Sequence, residues 1–337
     1  MQIYAEVQEE VLEIICEGRY SPASISLPSC GHLMDFEVIT DSSLLDLGIA
    51  DGINPSGNKR LISIINDFED KKWRQDKFDS FVWDNVAETA LTHKEREALQ
   101  NHPQSLLINA AKNLRLTDAD DDIGKGSELA EIVLYGIMRR KYGALPVVPK
   151  IFYKQNVQDN AKGADSVHIV IGTNKDFSLW FGEAKFYTSI ADARLGSIIA
   201  SVKNSLATEK LKKENAIIVS LQELDNLEMD PEIRNHVKES LSNKLSIDSI
   251  KSKIVIPILL LHECPITAGV IEMTPDYVNK IRQYHNERAV SYFKKQIHEL
   301  KDIFKYAEIR FHLILFPVPQ KQPIIDKFLQ AVQFYKG

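Results

Sequence analysis

The sequence predicts an α/β protein in which helices flank a sheet and the N-terminal region is mainly helical, and three observations carry that expectation. Two short apolar runs, Ser166–Gly172 and Phe177–Gly182, are rich in β-branched and aromatic residues and flank the turn formers Thr173-Asn174-Lys175-Asp176, so they read as a β-hairpin. Lys253–His262 and Arg310–Phe316 read as two further strands, and Pro257 inside the first of them argues for an edge or a bulge. The stretches around these runs have helical period.

Taken in order, residues 1–122 open with a polar, loop-like stretch through Asp51–Gly57, followed by a helical pattern from about Asn58 to Leu91. Thr92-His93-Lys94-Glu95 spells a capping box that starts another helix. The acidic run Asp118–Gly126 marks a boundary, giving regions 1–122 and 123–337. Its sixth and twelfth positions are Ile123 and Leu129, which excludes a calcium loop. A helix follows, with Ser127 as its N-cap and Leu129, Ile132, Val133 and Ile137 on its apolar face. After the hairpin, Ser189–Lys213 suits an amphipathic helix with Leu195, Ile198, Ile199, Val202 and Leu206 turned to the sheet. Ala216–Leu221 fits strand or helix equally. Asp276 to about Ala307 and Ile324–Phe334 read as helices.

The 337 residues suffice for one large or two modest domains, and 26% charged and 44% hydrophobic residues are ordinary globular values. Three scattered cysteines, Cys16, Cys30 and Cys264, do not form a disulfide framework and point to a reducing cytoplasm. The early acids of the N-terminus do not fit a signal peptide, and the longest apolar run, Ile254–Leu261, is far too short for a membrane span. The net charge of −6 hides a division: residues 1–122 hold 23 acids and 11 bases, net −12, while 123–337 hold 24 acids and 30 bases, net +6. Arg139, Arg140, Lys141, Lys150, Lys154 and Lys162 lead toward the hairpin, as cations that meet phosphates without reading sequence do. A solvated helix end and a basic loop account for them equally well.

The chemistry concentrates in the hairpin. Asp165 opens its first strand and Glu183-Ala184-Lys185 closes its second, so two carboxylates and an ammonium meet. Side chains alternate along a strand, which sends Glu183 and Lys185 to one face. Mg²⁺ is held by one or two carboxylates with water and substrate phosphate, and Asp165 and Glu183 supply them, with the Ala184 carbonyl as a third oxygen. Lys185 would stand near an attacking water. Acid-x-lysine alone carries little: Glu69-Asp70-Lys71 and Glu299-Leu300-Lys301 share the spacing but lie in helix-period sequence, where i and i+2 do not share a face. A further acid is available from the preceding helix, where Glu128 and Glu131 sit three apart. One can reach a metal while the other serves the helix N-terminus, and Glu131 is the preferred ligand.

Other constellations are weaker. Cys30-Gly31-His32 and His262-Glu263-Cys264 lack the spacing of zinc knuckles, His168 fits the core better than a site, and no phosphate-binding motor loop exists.

The order of a helix carrying Glu, a strand opening with Asp, then Glu-x-Lys resembles the PD-(D/E)xK nuclease superfamily. Gly126-Ser127-Glu128-Leu129-Ala130-Glu131, Gly163-Ala164-Asp165-Ser166 and Phe181-Gly182-Glu183-Ala184-Lys185-Phe186-Tyr187 are similar to the HamA family of the Hachiman anti-phage system. The resemblance spans roughly residues 124–190, and Ala164 stands where the superfamily has proline. It implies a mixed-sheet nuclease core and a Mg²⁺-dependent (or Mn²⁺-dependent) deoxyribonuclease that cuts DNA with little sequence preference. Asp165, Glu183 and Lys185 are then the catalytic set, and a helicase partner of the HamB kind holds the enzyme in check. A catalytically silent adaptor for DNA or the helicase and a sequence-specific restriction endonuclease are the alternatives. The acidic region 1–122 is expected to dock the partner or to shield the basic face.

Overall fold

Four strands carry the longest apolar runs of the chain, and they lie side by side. In the computed structural model, which describes residues 34–115, 126–153, 164–172, 176–220, 223–242 and 244–337, the strands are β1 (Glu37–Ser43), β2 (Lys59–Ile65), β3 (Phe68–Glu69), β4 (Lys72–Trp73), β5 (Leu145–Val148), β6 (Ser166–Ile171), β7 (Phe177–Tyr187), β8 (Ile254–Glu263) and β9 (Arg310–Val318). Seven of them form one sheet in the order β1-β2-β9-β8-β7-β6-β5, and β3 and β4 form a separate hairpin. The centre, β2-β9-β8-β7, is parallel, while β1 and the β7-β6-β5 end are antiparallel. Parallel strands need both faces covered, and β8 and β9 are apolar at nearly every position.

Helices supply the cover. On one face lie α1 (Gln75–Ala90), α3 (Pro103–Asn113), α4 (Ser127–Tyr142) and α9 (Lys321–Lys336), packed on Ile62, Ile64, Ala184, Phe186, Leu259 and Ile314. On the other lie α5 (Gly196–Ser205), α6 (Thr208–Ser220), α7 (Pro231–Ser240) and α8 (Pro275–Leu300), packed on Leu61, Phe181, Ile258, Leu260 and Leu313. The α/β class with a mixed sheet is thus the observed one. The short α2 (His93–Ala98) starts with the expected capping box: Glu95 N–H donates to Thr92 Oγ1 at 3.3 Å and Thr92 N–H to Glu95 Oε2 at 2.8 Å. Leu195, Ile198, Ile199, Val202 and Leu206 are all buried, as their period requires.

Several expectations are corrected. Asn58–Ile65 is not the start of a long helix: Lys59–Ile65 is a buried strand beside β9. A short apolar run of β-branched residues cannot be told from buried helix by periodicity, and here the vacant sheet position decided it. The N-terminal region therefore lends two strands to the same sheet that holds the hairpin, across the division at 122/123. Glu69-Asp70-Lys71 is not helical either, because Asp70 and Lys71 take left-handed φ of 48° and 61° in the β3–β4 turn. Ala216–Ser220 closes α6. Gly126, at φ 85°, is the residue before α4, so Ser127 is its first helical residue instead of its cap.

Pro257 is neither at an edge nor in a bulge. Strand β8 runs between β7 and β9, and its register with β9 is unbroken through Pro257↔His312. On the β7 side the register has Trp180↔Val255 and then Glu183↔Ile258, with no pairs at Phe181 and Gly182. The N–H that proline lacks falls in that interruption.

Candidate active site at the open edge of β7

The site begins with a register. Ser166 faces Gly182 across the β6–β7 ladder, which sets Asp165, one residue earlier, opposite Glu183. Asp165 N–H donates to the Gly182 carbonyl at 2.8 Å, and its Oδ2 accepts the Ala184 N–H at 3.1 Å. The aspartate side chain thus takes the place of the next strand carbonyl and ends the ladder. Beyond it β7 continues from Glu183 to Tyr187 with β8 on one side and, among the described residues, no strand on the other. Within a strand the N–H and C=O of one residue point to the same side, so the Ala184 carbonyl faces this open edge beside Asp165.

Gly182 makes the corner possible. A Cβ there would lie 2.2 Å from Ser166 Oγ and 2.7 Å from Leu134 Cδ2, so only glycine lets α4 and β6 approach. Alternation then sorts the rest. Phe181 and Tyr187 pack with α5 and α8, so Glu183 and Lys185 belong to that face, while Ala184 and Phe186 pack under α4. Lys185 is half-buried. Glu183 is buried at 4% exposure, not at an exposed strand end. Its charge is felt by Tyr292 of α8, whose phenol is held well above its ordinary range first by burial and then by Tyr306, Tyr187 and Glu183.

Helix α4 runs antiparallel to β7. A Cβ on Gly126 would lie 3.2 Å from Phe186, Leu134 covers Gly182, and the Tyr142 ring is 4.5 Å from Trp180. Glu131 therefore rides level with Ala184, buried at 6% exposure, on the face opposite Glu183 and Lys185. The open edge of β7 is where the two faces meet. Glu128 reaches the backbone: its Oε1 accepts the Arg115 N–H at 2.9 Å and ties the chain after α3 to the first turn of α4.

Asp165 and Glu183 are thus brought side by side, and Glu131 approaches from across the sheet. Among the described residues no three His, Cys, Asp or Glu side chains converge on one point. A pair of neighbouring carboxylates is the kind of protein donor set through which Mg²⁺, which keeps several of its waters, is commonly bound.

The described cations of the basic run leading to the hairpin each meet an acid. Arg139 pairs with Glu88 at 2.5 Å, Arg140 with Asp35 at 3.7 Å, Lys141 with Asp41 at 2.5 Å, and buried Lys150 with Glu214 at 2.7 Å. Three of those acids come from the acidic N-terminal region. Lys154, Lys162 and Asp118–Asp122 lie outside the described residues, as do Cys16, Cys30 and His32.

His168, His262 and His285 belong to the core. His168 is fully buried with its ring 4.6 Å from Tyr135, and burial pushes its pKa down to about 3. His262 Nε2 lies 3.1 Å from His285 Nε2, and His285 Nδ1 lies 2.5 Å from Ser63 Oγ. His262 Nδ1 reaches the Glu263 carbonyl, so it carries the proton. That makes His262 Nε2 an acceptor, His285 Nε2 its donor, and Ser63 the donor to His285 Nδ1. The residues of this chain stand up to 222 positions apart, and no sequence signal announces it.

Compared with models of known protein families, residues 41–332 match the family described as HamA. A search of curated proteins returns no match.

Proposed function

The chain belongs to the HamA family, a component of Hachiman anti-phage defence, and we propose that it is the system's metal-dependent deoxyribonuclease, restrained by a helicase partner. The observation that supports this most is the Asp165–Ala184 hydrogen bond, which holds an aspartate across from Glu183 at the point where β7 loses its neighbour. In this reading Asp165 and Glu183 hold Mg²⁺, the Ala184 carbonyl adds an oxygen from the edge, and Glu131 reaches in from α4. Bound there, the ion would polarise the scissile phosphate and favour hydroxide over water. Lys185 shares the Glu183 face and orients the attacking water by charge and hydrogen bond. Glu128 is left to its structural bond.

The sequence spells no recognisable helix-turn-helix or zinc finger, which suits cleavage with little sequence preference. A silent adaptor is the second reading, favoured by the lack of three converging acids among the described residues. Incubating purified protein with plasmid and linear DNA, in Mg²⁺ or EDTA, separates the two. Metal-dependent cutting that disappears in Glu183→Gln supports the nuclease. Binding without cutting, both alone and with the helicase, supports the adaptor.

The acidic N-terminal region is assigned to partner docking or shielding. Asp35, Asp41 and Glu88 already cover the cations at the end of α4, which is shielding within the chain.

A further inference from the structure

Arg139, Arg140, Lys141 and Lys150 each meet an acid, and a second group of cations lies on the other face of the sheet. A groove of about 770 Å³ runs between α5 and the C-terminal half of α8. Lys203 stands on one wall, and Lys294, Lys295 and His298 stand on the other. Lys203, Lys294 and His298 are exposed. Two acids line the groove as well. Glu299 meets Lys203 at 3.2 Å. Asp192 is already engaged by Arg288 at 2.8 Å, by the Ser291 hydroxyl, and by Lys295 at 3.7 Å. Three lysines thus line the groove against two carboxylates, both carboxylates are already paired, and Lys294 makes no ion pair with a described residue. The floor is Ala193, Gly196, Ile199 and Ala200, small enough to admit a chain.

This groove lies on the sheet face that carries Glu183 and Lys185. It is joined to β7 directly: Tyr187, two residues past Lys185, hydrogen-bonds through its hydroxyl to Ser197 of α5 at 2.6 Å. No Phe, Tyr or Trp lines it, and the imidazole of His298 is the one ring among its lining residues. Lysines on both walls, with only a single small ring beside them, match a phosphodiester backbone met mainly through its charge.

We propose that the α5–α8 groove is the backbone track that leads a nucleic-acid strand to the open edge of β7. The proposal rests on the nuclease reading of that edge for its destination, though not for its chemistry. The test uses the full chain in a Glu183→Gln background and a short fluorescent duplex of mixed sequence, with affinity measured by anisotropy across salt concentrations. Replacing Lys203, Lys294 and Lys295 together by Ala should weaken binding about tenfold and lower the slope of log K against log salt by roughly 2 to 3, since each phosphate contact contributes about 0.9. Replacing all three by Arg should restore both. Unchanged affinity or slope in the alanine variant overturns the track, as does a wild-type groove that binds no DNA but captures a polyglutamate peptide. Metal-dependent cleavage by the unmutated chain is scored separately. If it cuts while the alanine variant binds normally, only the track falls. If it never cuts while the variant loses binding, the track stands and the nuclease reading falls.

Discussion

Glu69-Asp70-Lys71 and Glu183-Ala184-Lys185 are spelled alike and end in opposite circumstances. The first crosses a two-residue turn between strands β3 and β4, with Asp70 and Lys71 in left-handed backbone and Glu69 and Lys71 exposed. The second lies in the middle of a long strand, with a buried glutamate, a half-buried lysine on the same face and an aspartate fixed across the ladder. Turn geometry scatters an acid and a lysine two apart, whereas a strand aligns them. The chemistry belongs to the backbone, and the letters only permit it.

The sharpest way to break that comparison is to cut both copies. Glu183→Gln and Lys185→Ala should each lower metal-dependent cleavage by at least about 10²-fold, because under the proposed function they remove a metal ligand and the charge beside the water. Glu69→Gln and Lys71→Ala should leave the rate within about twofold. Gel-based cleavage rates on one plasmid decide it: comparable losses in both copies, or in neither, would remove the distinction.

Acid separates the two hairpins thermodynamically. His168 on β6 is held down to about 3 and His262 on β8 to about 4, while His285 is also lowered well below its ordinary value, chiefly by burial in each case. Neutral in the fold, these imidazoles take up protons near pH 6.5 once unfolded. Their stability contribution is therefore complete above pH 6.5 and is lost as the pH falls toward 4 and 3. At pH 5 the loss is about 2 kcal/mol for His168, from 1.36 kcal/mol per unit. Urea midpoints should drop steeply between pH 6.5 and 5, and His168→Phe should flatten that fall. A midpoint constant to pH 5 would contradict buried neutral histidines. The β3–β4 turn carries no such group.

How far the sequence revealed this arrangement follows from range. The β6–β7 hairpin, the capping box at Thr92 and the apolar face of α5 are local patterns, and each was legible. Strand β2 was not, because Lys59–Ile65 is short and apolar throughout and only β9, some 250 residues away, makes it a strand. Pro257 misled for the same reason: the gap that excuses it lies opposite Phe181 and Gly182 on another strand. In the candidate site, the Asp165–Glu183 juxtaposition was readable from the hairpin, and the side of the sheet that carries Glu131 was not. The cations of α4 looked free because their partners Asp35, Asp41 and Glu88 are distant in sequence. The groove lysines, on two helices ninety positions apart, gave no signal at all.

Packing at the corner gives a smaller effect. Gly182→Ala places a methyl 2.2 Å from Ser166 Oγ and 2.7 Å from Leu134, so β6 and α4 have to separate. The cost should be about 1–3 kcal/mol, as for overpacking in a closed core, with cleavage reduced further because Asp165 leaves its register. Gly182→Ala combined with Ser166→Gly and Leu134→Ala should recover part of the stability. If Gly182→Ala melts like the parent in thermal scans, the close approach of α4 is not what the glycine serves.

The smallest effect lies in the other copy. Lys71 holds φ of 61°, a region that costs an ordinary side chain roughly 1 kcal/mol and costs glycine almost nothing. Lys71→Gly should therefore stabilise the chain by up to about 1 kcal/mol, part of it offset by the greater freedom of glycine in the unfolded state. Cleavage should not change. Lys185→Gly, the same substitution at the same place in the other motif, should remove activity and weaken a strand that β8 pairs residue by residue through Ala184–Tyr187. Opposite signs of the two stability changes, measured by urea unfolding under one set of conditions, are what a turn and a strand require of one pair of letters. A destabilised Lys71→Gly would mean that the turn lysine, too, is held by something more than its backbone.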